Sequence, residues 1–238
     1  MFMLYLYLIA LLSLSSCQFL SKKERITLPE EDRQSFDECK NSDGAISGML
    51  YRGKDLILSL NLDWIAQAGT WDWELQDALG QSLGHIAYKN HPAQGAPFTF
   101  ELKHKLAPLN DSLSSKVKVR KDEYLETDGF FIGIKGSELA CLFSDKFPAS
   151  WLPDAYRCEG TYESKTCYFY SDPRTIEVSF SRRKNGTLHK VCSLISWTSF
   201  LGLRRHQAQW CKNLKEETGL FTDGSGNYKV EWQKVNEQ

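Results

Sequence analysis

The chain has 238 residues, 42% of them hydrophobic and 25% charged, with a formal net charge of −1. That balance is the composition of a globular protein and excludes a disordered or fibrous one. The length admits one large domain or two small ones, enough chain to bury about 70% of its unfolded surface.

The first element is an apolar run from Phe2 to Leu14. It is shorter than the ~20 residues needed to cross a bilayer and suits the core of a signal peptide. It ends in Leu14-Ser15-Ser16-Cys17, an aliphatic residue, two small residues and a cysteine. This stretch resembles the lipobox of bacterial lipoproteins. The resemblance implies cleavage between Ser16 and Cys17. It also implies a diacylglyceryl thioether on Cys17 and an amide-linked acyl chain such as palmitate, since one chain alone holds a protein only marginally. In that family Asp after the cysteine marks retention in the inner membrane, so Gln18 implies the outer membrane with the domain facing the periplasm. The inner membrane and the cell surface are the other destinations. The competing reading is an uncleaved anchor running to about Leu20, interrupted by Ser13, Ser15, Ser16 and Gln18.

Residues 1–16 are therefore expected to be a signal peptide, 17–44 a polar tether, and 45–238 a β domain with a possible subdomain seam near 148–153. The tether carries seven acidic residues against five basic ones and few large apolar side chains, so it is not expected to pack a core.

From Asp55 onwards the period is two. Leu56, Leu58, Leu60, Leu62 and Trp64 alternate with Ile57, Ser59, Asn61 and Asp63, the pattern of a half-buried strand. Trp71 to Leu75, Ile86 with Tyr88, Phe98 to Leu102 and Val117 with Val119 repeat it, and Phe130 to Ile134 is a short apolar run. Ser137 to Phe147 could hold a helical turn. The fold class expected is all-β, an antiparallel sandwich or barrel.

The C-terminal third is specified most closely. Asn185-Gly186 favours a type I′ hairpin turn, which needs positive φ at both central residues. That turn sets Phe180 against Val191, Val178 against Ser193 and Ile176 against Ile195. A second turn at Leu201-Gly202 sets Ile195 against Ala208, Trp197 against His206 and Cys192 against Cys211. The expectation is a three-strand meander over 175–213, followed by a turn at Asp223–Asn227 and a last strand through Tyr228, Val230 and Trp232.

With Cys17 set aside, the remaining six cysteines are an even set with no C-x-x-C spacing, which reads as a disulfide framework rather than a metal site. Cys192 and Cys211 face each other across the meander, within reach of a bridge. Cys158 with Cys167 across another hairpin, and Cys39 with Cys141, are the remaining pairings expected.

Three patterns bear on chemistry. Gly80-Gln81-Ser82-Leu83-Gly84 resembles the nucleophile elbow of α/β-hydrolases, which would make Ser82 a nucleophile; the other reading is a Gly-rich hairpin. Asn61-Leu62-Asp63 with Gly69-Thr70-Trp71 resembles the opening motif of lipocalins, implying an eight-stranded cup for an apolar ligand. Between Arg174 and Lys215 lie nine Lys or Arg and one acid, a local balance of +8, with Arg183, Lys190 and Arg205 on one sheet face. Trp151, between prolines, is expected at the surface.

No catalytic constellation survives these weighings. The reading is a lipid-anchored periplasmic protein with a non-catalytic binding or structural β domain. Its partner would be an anionic envelope component (glycan, lipid phosphate or protein), with no nucleic acid, metal or cofactor. A lipocalin-like carrier and a serine hydrolase using Ser82 are the alternatives.

Overall fold

The computed structural model describes residues 24–39, 41–67, 70–89, 97–120, 122–127, 130–198, 205–223 and 228–235. The lipobox residues Ser16 and Cys17, and the turn at Leu201-Gly202, lie outside them.

A short helix α1 (Glu30–Arg33) and strand β1 (Phe36–Asp37) come first. A meander follows: β2 (Asn41–Arg52), β3 (Asp55–Gln67), β4 (Thr70–Gln76), β5 (Ser82–Tyr88) and β6 (Phe98–Leu102). The middle of the chain holds α2 (Leu109–Lys116), a small sheet of β7 (Val117–Val119), β8 (Tyr124–Thr127) and β9 (Phe130–Lys135), a 3-10 turn at Gly136–Cys141, and β10 (Phe147–Pro148). A second 3-10 turn, Ala149–Asp154, leads into a longer meander. Its strands are β11 (Ala155–Gly160), β12 (Ser164–Ser171), β13 (Arg174–Arg182), β14 (Leu188–Thr198), β15 (Arg205–Asn213), β16 (Thr218–Asp223) and β17 (Tyr228–Lys234).

The two meanders form one antiparallel sheet of 12 strands, ordered β11 to β17 and then β2 to β6. The seam is the pairing of β17 with β2, which sets Tyr228 against Arg52 and Lys234 against Ile46. The described chain is mostly β, with its large sheet antiparallel and the short β1 and β10 paired in parallel. The C-terminal registers are those expected, with Ile176 facing Ile195, Phe180 facing Val191 and Trp197 facing His206. The first turn, however, is not type I′: of Asn185 and Gly186 only Gly186 has positive φ, Gly186 N donates to Arg183 O, and the register shifts between Ser181 and Arg182. Three disulfides join Cys39 to Cys141, Cys158 to Cys167 and Cys192 to Cys211.

One face of the sheet carries the core. On β13 the buried positions alternate as Arg174, Ile176, Val178, Phe180 and Arg182. The segments 28–37 and 136–155 lie over this face. Phe36 packs against Phe147, Trp151, Phe169 and Phe180 at ring-centroid distances of 5.7–6.5 Å. Trp151 in turn stacks on Phe147 and meets Trp210 edge-on. Both free edges have cover. Ile26 N donates to Ala155 O on β11, and the Asn110 side-chain amide pairs with both backbone groups of Leu102 on β6.

Several expectations need correction. The segment read as a tether is packed from Leu28 onward, with Leu28, Asp32, Phe36 and Cys39 all buried. Its acids misled: Asp32 is held in the interior by cations far along the chain. No seam falls at 148–153, because Phe147 and Trp151 sit in one core with residues of both meanders. Trp151 is 1% exposed rather than a surface residue. The eight-stranded barrel implied by the lipocalin resemblance is replaced by an open 12-stranded sheet whose inner side is filled by the chain's own aromatic residues. Gly80 to Ser82 belong to the β4–β5 hairpin and Ser82 opens strand β5 rather than a helix, so the strand–elbow–helix geometry of a hydrolase is absent there. Lys103 Nζ donates to Ser82 Oγ at 3.3 Å.

At the β4 end of the core, Tyr88 is 2% exposed and stacks on Trp71. A Cβ at Gly136 would come 2.4 Å from the Tyr88 ring, so the turn can close over the phenol only at a glycine. Burial, with a smaller push from Glu123, raises the Tyr88 pKa to about 12. Between pH 10 and that value the unfolded chain loses this proton while the folded one keeps it. Stability should therefore fall with rising pH by about 1.4 kcal/mol per unit from this residue. Urea unfolding of Tyr88→Phe between pH 10 and 12 should show a shallower decline than the parent; parallel curves would contradict the assignment.

Candidate functional site

Residues that alternate away from the core project from the outer face, and antiparallel pairing lines them up across the strands. One such row runs Ser59, Met49, Glu231, Leu220, Cys211 and Cys192, through β3, β2, β17, β16, β15 and β14. The next row, two residues along, runs Asn61, Ser47, Gln233, Thr218, Asn213 and Lys190. All of these residues except Asn61 and Cys192 line an open cleft of about 500 Å³.

The hollow has a local cause. The side chains of Ser47, Ser59 and Thr218 are short, and Cys211 is tied across the strands to Cys192. Longer ones (Met49, Leu220, Glu231, Gln233 and Lys190) stand among them. On the core side Trp232 lies across Gly219, where an added Cβ would fall 2.0 Å from the indole. That close approach needs glycine.

The charges in the cleft are unequal in their freedom. Glu231 is paired with Lys229 at 2.7 Å, and Lys229 also sits 4.8 Å over the Tyr51 ring. Lys190 is exposed and makes no ion pair among the described residues. The unneutralised charge is therefore positive. Around it lie amide and hydroxyl groups from Asn213, Gln233, Thr218 and Ser47, with Met49 and Leu220 as apolar surface. Such a lining can hold a hydrogen-bonding anion. It offers no nucleophile activated by a base, since none of its described hydroxyls is bonded to a histidine or carboxylate.

The basic excess of the C-terminal third has a different fate from the one its sequence suggests. Three of the nine cations turn inward. Arg174 donates to Glu138 through both terminal nitrogens, at 2.6 and 2.5 Å, and to Gly133 O at 2.8 Å. Burial lowers its pKa, but the hydrogen bonds and charge of Glu138 more than reverse this, so the guanidinium stays charged. Arg182 is bonded to Asp32, which also takes Lys165 at 2.8 Å. Lys212 Nζ donates to the carbonyls of Cys141, Ser144 and Lys146. Burial pushes the Lys212 pKa well below its ordinary range, against the pull of Asp145.

Of the three residues predicted to form a basic face, only Lys190 lines the cleft. Arg183 is exposed in the β13–β14 turn. Arg205 pairs with Thr198, eight residues along β14 from Lys190, which is about 26 Å of strand; its side chain lies outside those described. The three do not form one patch. Two of the histidines have close partners: His206 stacks on Trp197 at 5.7 Å, and His85 Nε2 lies 2.9 Å from Glu101. Sequence reasoning missed Met49, Ser59, Glu231 and Leu220. Their only signal was outward parity, and which strands stand side by side was needed to join them.

No protein-family model and no curated protein matches the chain. Among solved structures it is similar to a LolA superfamily protein from Nitrosomonas europaea, at 10% identity and a TM-score of 0.42, over 87% of this chain and 89% of that one. A protein described as an outer membrane lipoprotein-sorting domain, from Vibrio parahaemolyticus, is similar at 10% identity and a TM-score of 0.37, over 87% and 88%. A protein described as a lipoprotein, from Parabacteroides distasonis, is similar at 10% identity and a TM-score of 0.27, over 82% and 95%. Likeness at this level says nothing of ligand or role.

Proposed function

We propose that this is a lipid-anchored protein of the bacterial envelope whose β domain is a non-catalytic binding module. Its ligand is an anionic, hydroxyl-rich envelope component such as a phosphorylated glycan, held in the outer-face cleft. The observation that carries the binding reading is Lys190, a cation with no acidic partner among the described residues, beside amide and hydroxyl groups in a hollow of about 500 Å³. Two features support the location. Leu14 to Cys17 resembles a lipobox, and six cysteines are joined in three bridges, which persist in an oxidising compartment.

Calorimetric titration with a phosphorylated oligosaccharide tests the binding. Binding is expected, and Lys190→Glu should weaken it at least tenfold, the scale of one charge-assisted contact. No heat with the parent protein, or equal affinity in the variant, would defeat this reading of the cleft. Mass spectrometry of the mature N-terminus tests the anchor, which requires an acylated Cys17.

A further inference from the structure

Exposed large apolar side chains are scattered over most of the molecule, but four of them gather at one place: Met49, Leu56, Ile57 and Tyr228, each 40–54% exposed. They belong to the β2–β3 hairpin and to the neighbouring start of β17. Pairing sets Tyr228 beside Arg52, Arg52 beside Asp55, and Tyr51 beside both Leu56 and Lys229.

Elsewhere on β3 the core-side residues Leu62, Trp64 and Ala66 are buried and alternate with exposed outward ones. At the tip this alternation fails, and Leu56 and Ile57 are exposed on both sides of the hairpin. The register shift between Leu50 and Tyr51 lies at the same level. A strand pair apolar on both faces is at rest only where both faces leave water. The same tip carries Arg52 and Lys54, both exposed, against Asp55 on the hairpin turn, while Lys229 on the adjoining strand is paired with Glu231. Aliphatic residues with a tyrosine and a cluster of cations form the combination that seats a protein in the headgroup layer of an anionic membrane.

From this we infer that the β2–β3 hairpin tip is a membrane-contact element, inserting Leu56 and Ile57 at an anionic lipid surface while Arg52 and Lys54 meet its headgroups. It acts independently of any lipid on Cys17, and it adjoins the cleft through Met49 and the Lys229–Glu231 pair. One acyl chain or one protein contact holds only marginally, so a second element of this kind also fixes which way the domain faces.

Flotation with vesicles tests the inference, using the full mature chain with Cys17→Ser so that no acyl chain contributes. The protein should float with vesicles of 70% phosphatidylcholine and 30% phosphatidylglycerol, a composition on the order of natural anionic content. The double variant Leu56→Asp, Ile57→Asp should reduce the bound fraction at least tenfold. Arg52→Glu with Lys54→Glu should do so on anionic vesicles only. Leu79→Asp, at the most exposed large apolar residue among those described and on the β4–β5 hairpin, should change nothing. All these positions are exposed, and far-UV circular dichroism with urea unfolding confirms that each variant folds. Flotation undiminished in the Leu56, Ile57 double variant, or no flotation of the parent, would overturn the inference without touching the cleft. Loss of flotation in Leu79→Asp as well would show general stickiness and overturn it too.

Discussion

Glu138→Ala should destabilise the protein by about 3–5 kcal/mol, the cost of leaving a buried cation without its partner. Arg174 and Glu138 are each only 2% exposed at the side chain, and their contact is bidentate. Glu138 also receives Trp151 Nε1 at 2.9 Å and the Lys135 backbone N–H at 2.9 Å. Removing the carboxylate therefore orphans an indole and a backbone donor along with the guanidinium. The Glu30–Arg33 pair supplies the contrast. It is exposed on both sides, and Glu30→Ala should cost no more than about 0.5 kcal/mol. Urea unfolding followed by tryptophan fluorescence measures both. A further variant, Glu138→Leu with Arg174→Met, should recover part of the loss, because apolar residues of similar volume leave no charge to satisfy. A Glu138→Ala loss below about 1 kcal/mol would mean that water reaches Arg174, and the buried network would have to be abandoned.

Removing the Cys39–Cys141 bridge, as Cys39→Ser with Cys141→Ser, should cost more than removing either of the others. Its sequence separation is 102, against 9 for Cys158–Cys167 and 19 for Cys192–Cys211. In the chain-entropy account a closed loop of that length contributes about 4.7 kcal/mol, and loops of ten to twenty residues roughly 3. The location points the same way. Cys39 ends the N-terminal segment that carries Asp32 and Phe36 into the core, and Cys141 begins the loop whose carbonyls bind Lys212. Freeing the bridge loosens both. The short bridges join strands already paired by backbone hydrogen bonds. Thermal unfolding of the three double variants ranks them; a Cys39–Cys141 variant as stable as the Cys158–Cys167 one would refute the ranking.

Legibility in the sequence tracked the range of the interaction. The β13–β14–β15 meander was readable strand by strand, because Asn185-Gly186 and Leu201-Gly202 mark its reversals and a period of two then says which side chains share a face, although the first turn is not the type I′ that its residues favour. Cys192 and Cys211 fell opposite each other by the same parity, through the second turn expected at Leu201-Gly202. Parity also foretold that Leu62, Trp64 and Trp71 would be buried. It could not say that Leu56 would lie open, since an exposed and a buried leucine have the same signature until the covering segment is known. The helix Leu109–Lys116 left no stripe because its hydrophobic residues are only Leu109 and Leu113.

Turn residues and side-chain alternation were sufficient to determine strands, their local pairing, one disulfide and the all-β class. Tertiary structure alone decided that β17 closes against β2, that residues 28–37 are core rather than tether, and that Arg174, Arg182 and Lys212 face inward. It also decided where the cleft lies. The reason is physical: alternation reports that a strand has two sides, while what each side meets depends on residues as distant as Asp32 from Arg182, 150 positions apart. A charge is written identically whether it faces water or a buried counter-ion, and only the packed chain distinguishes the two.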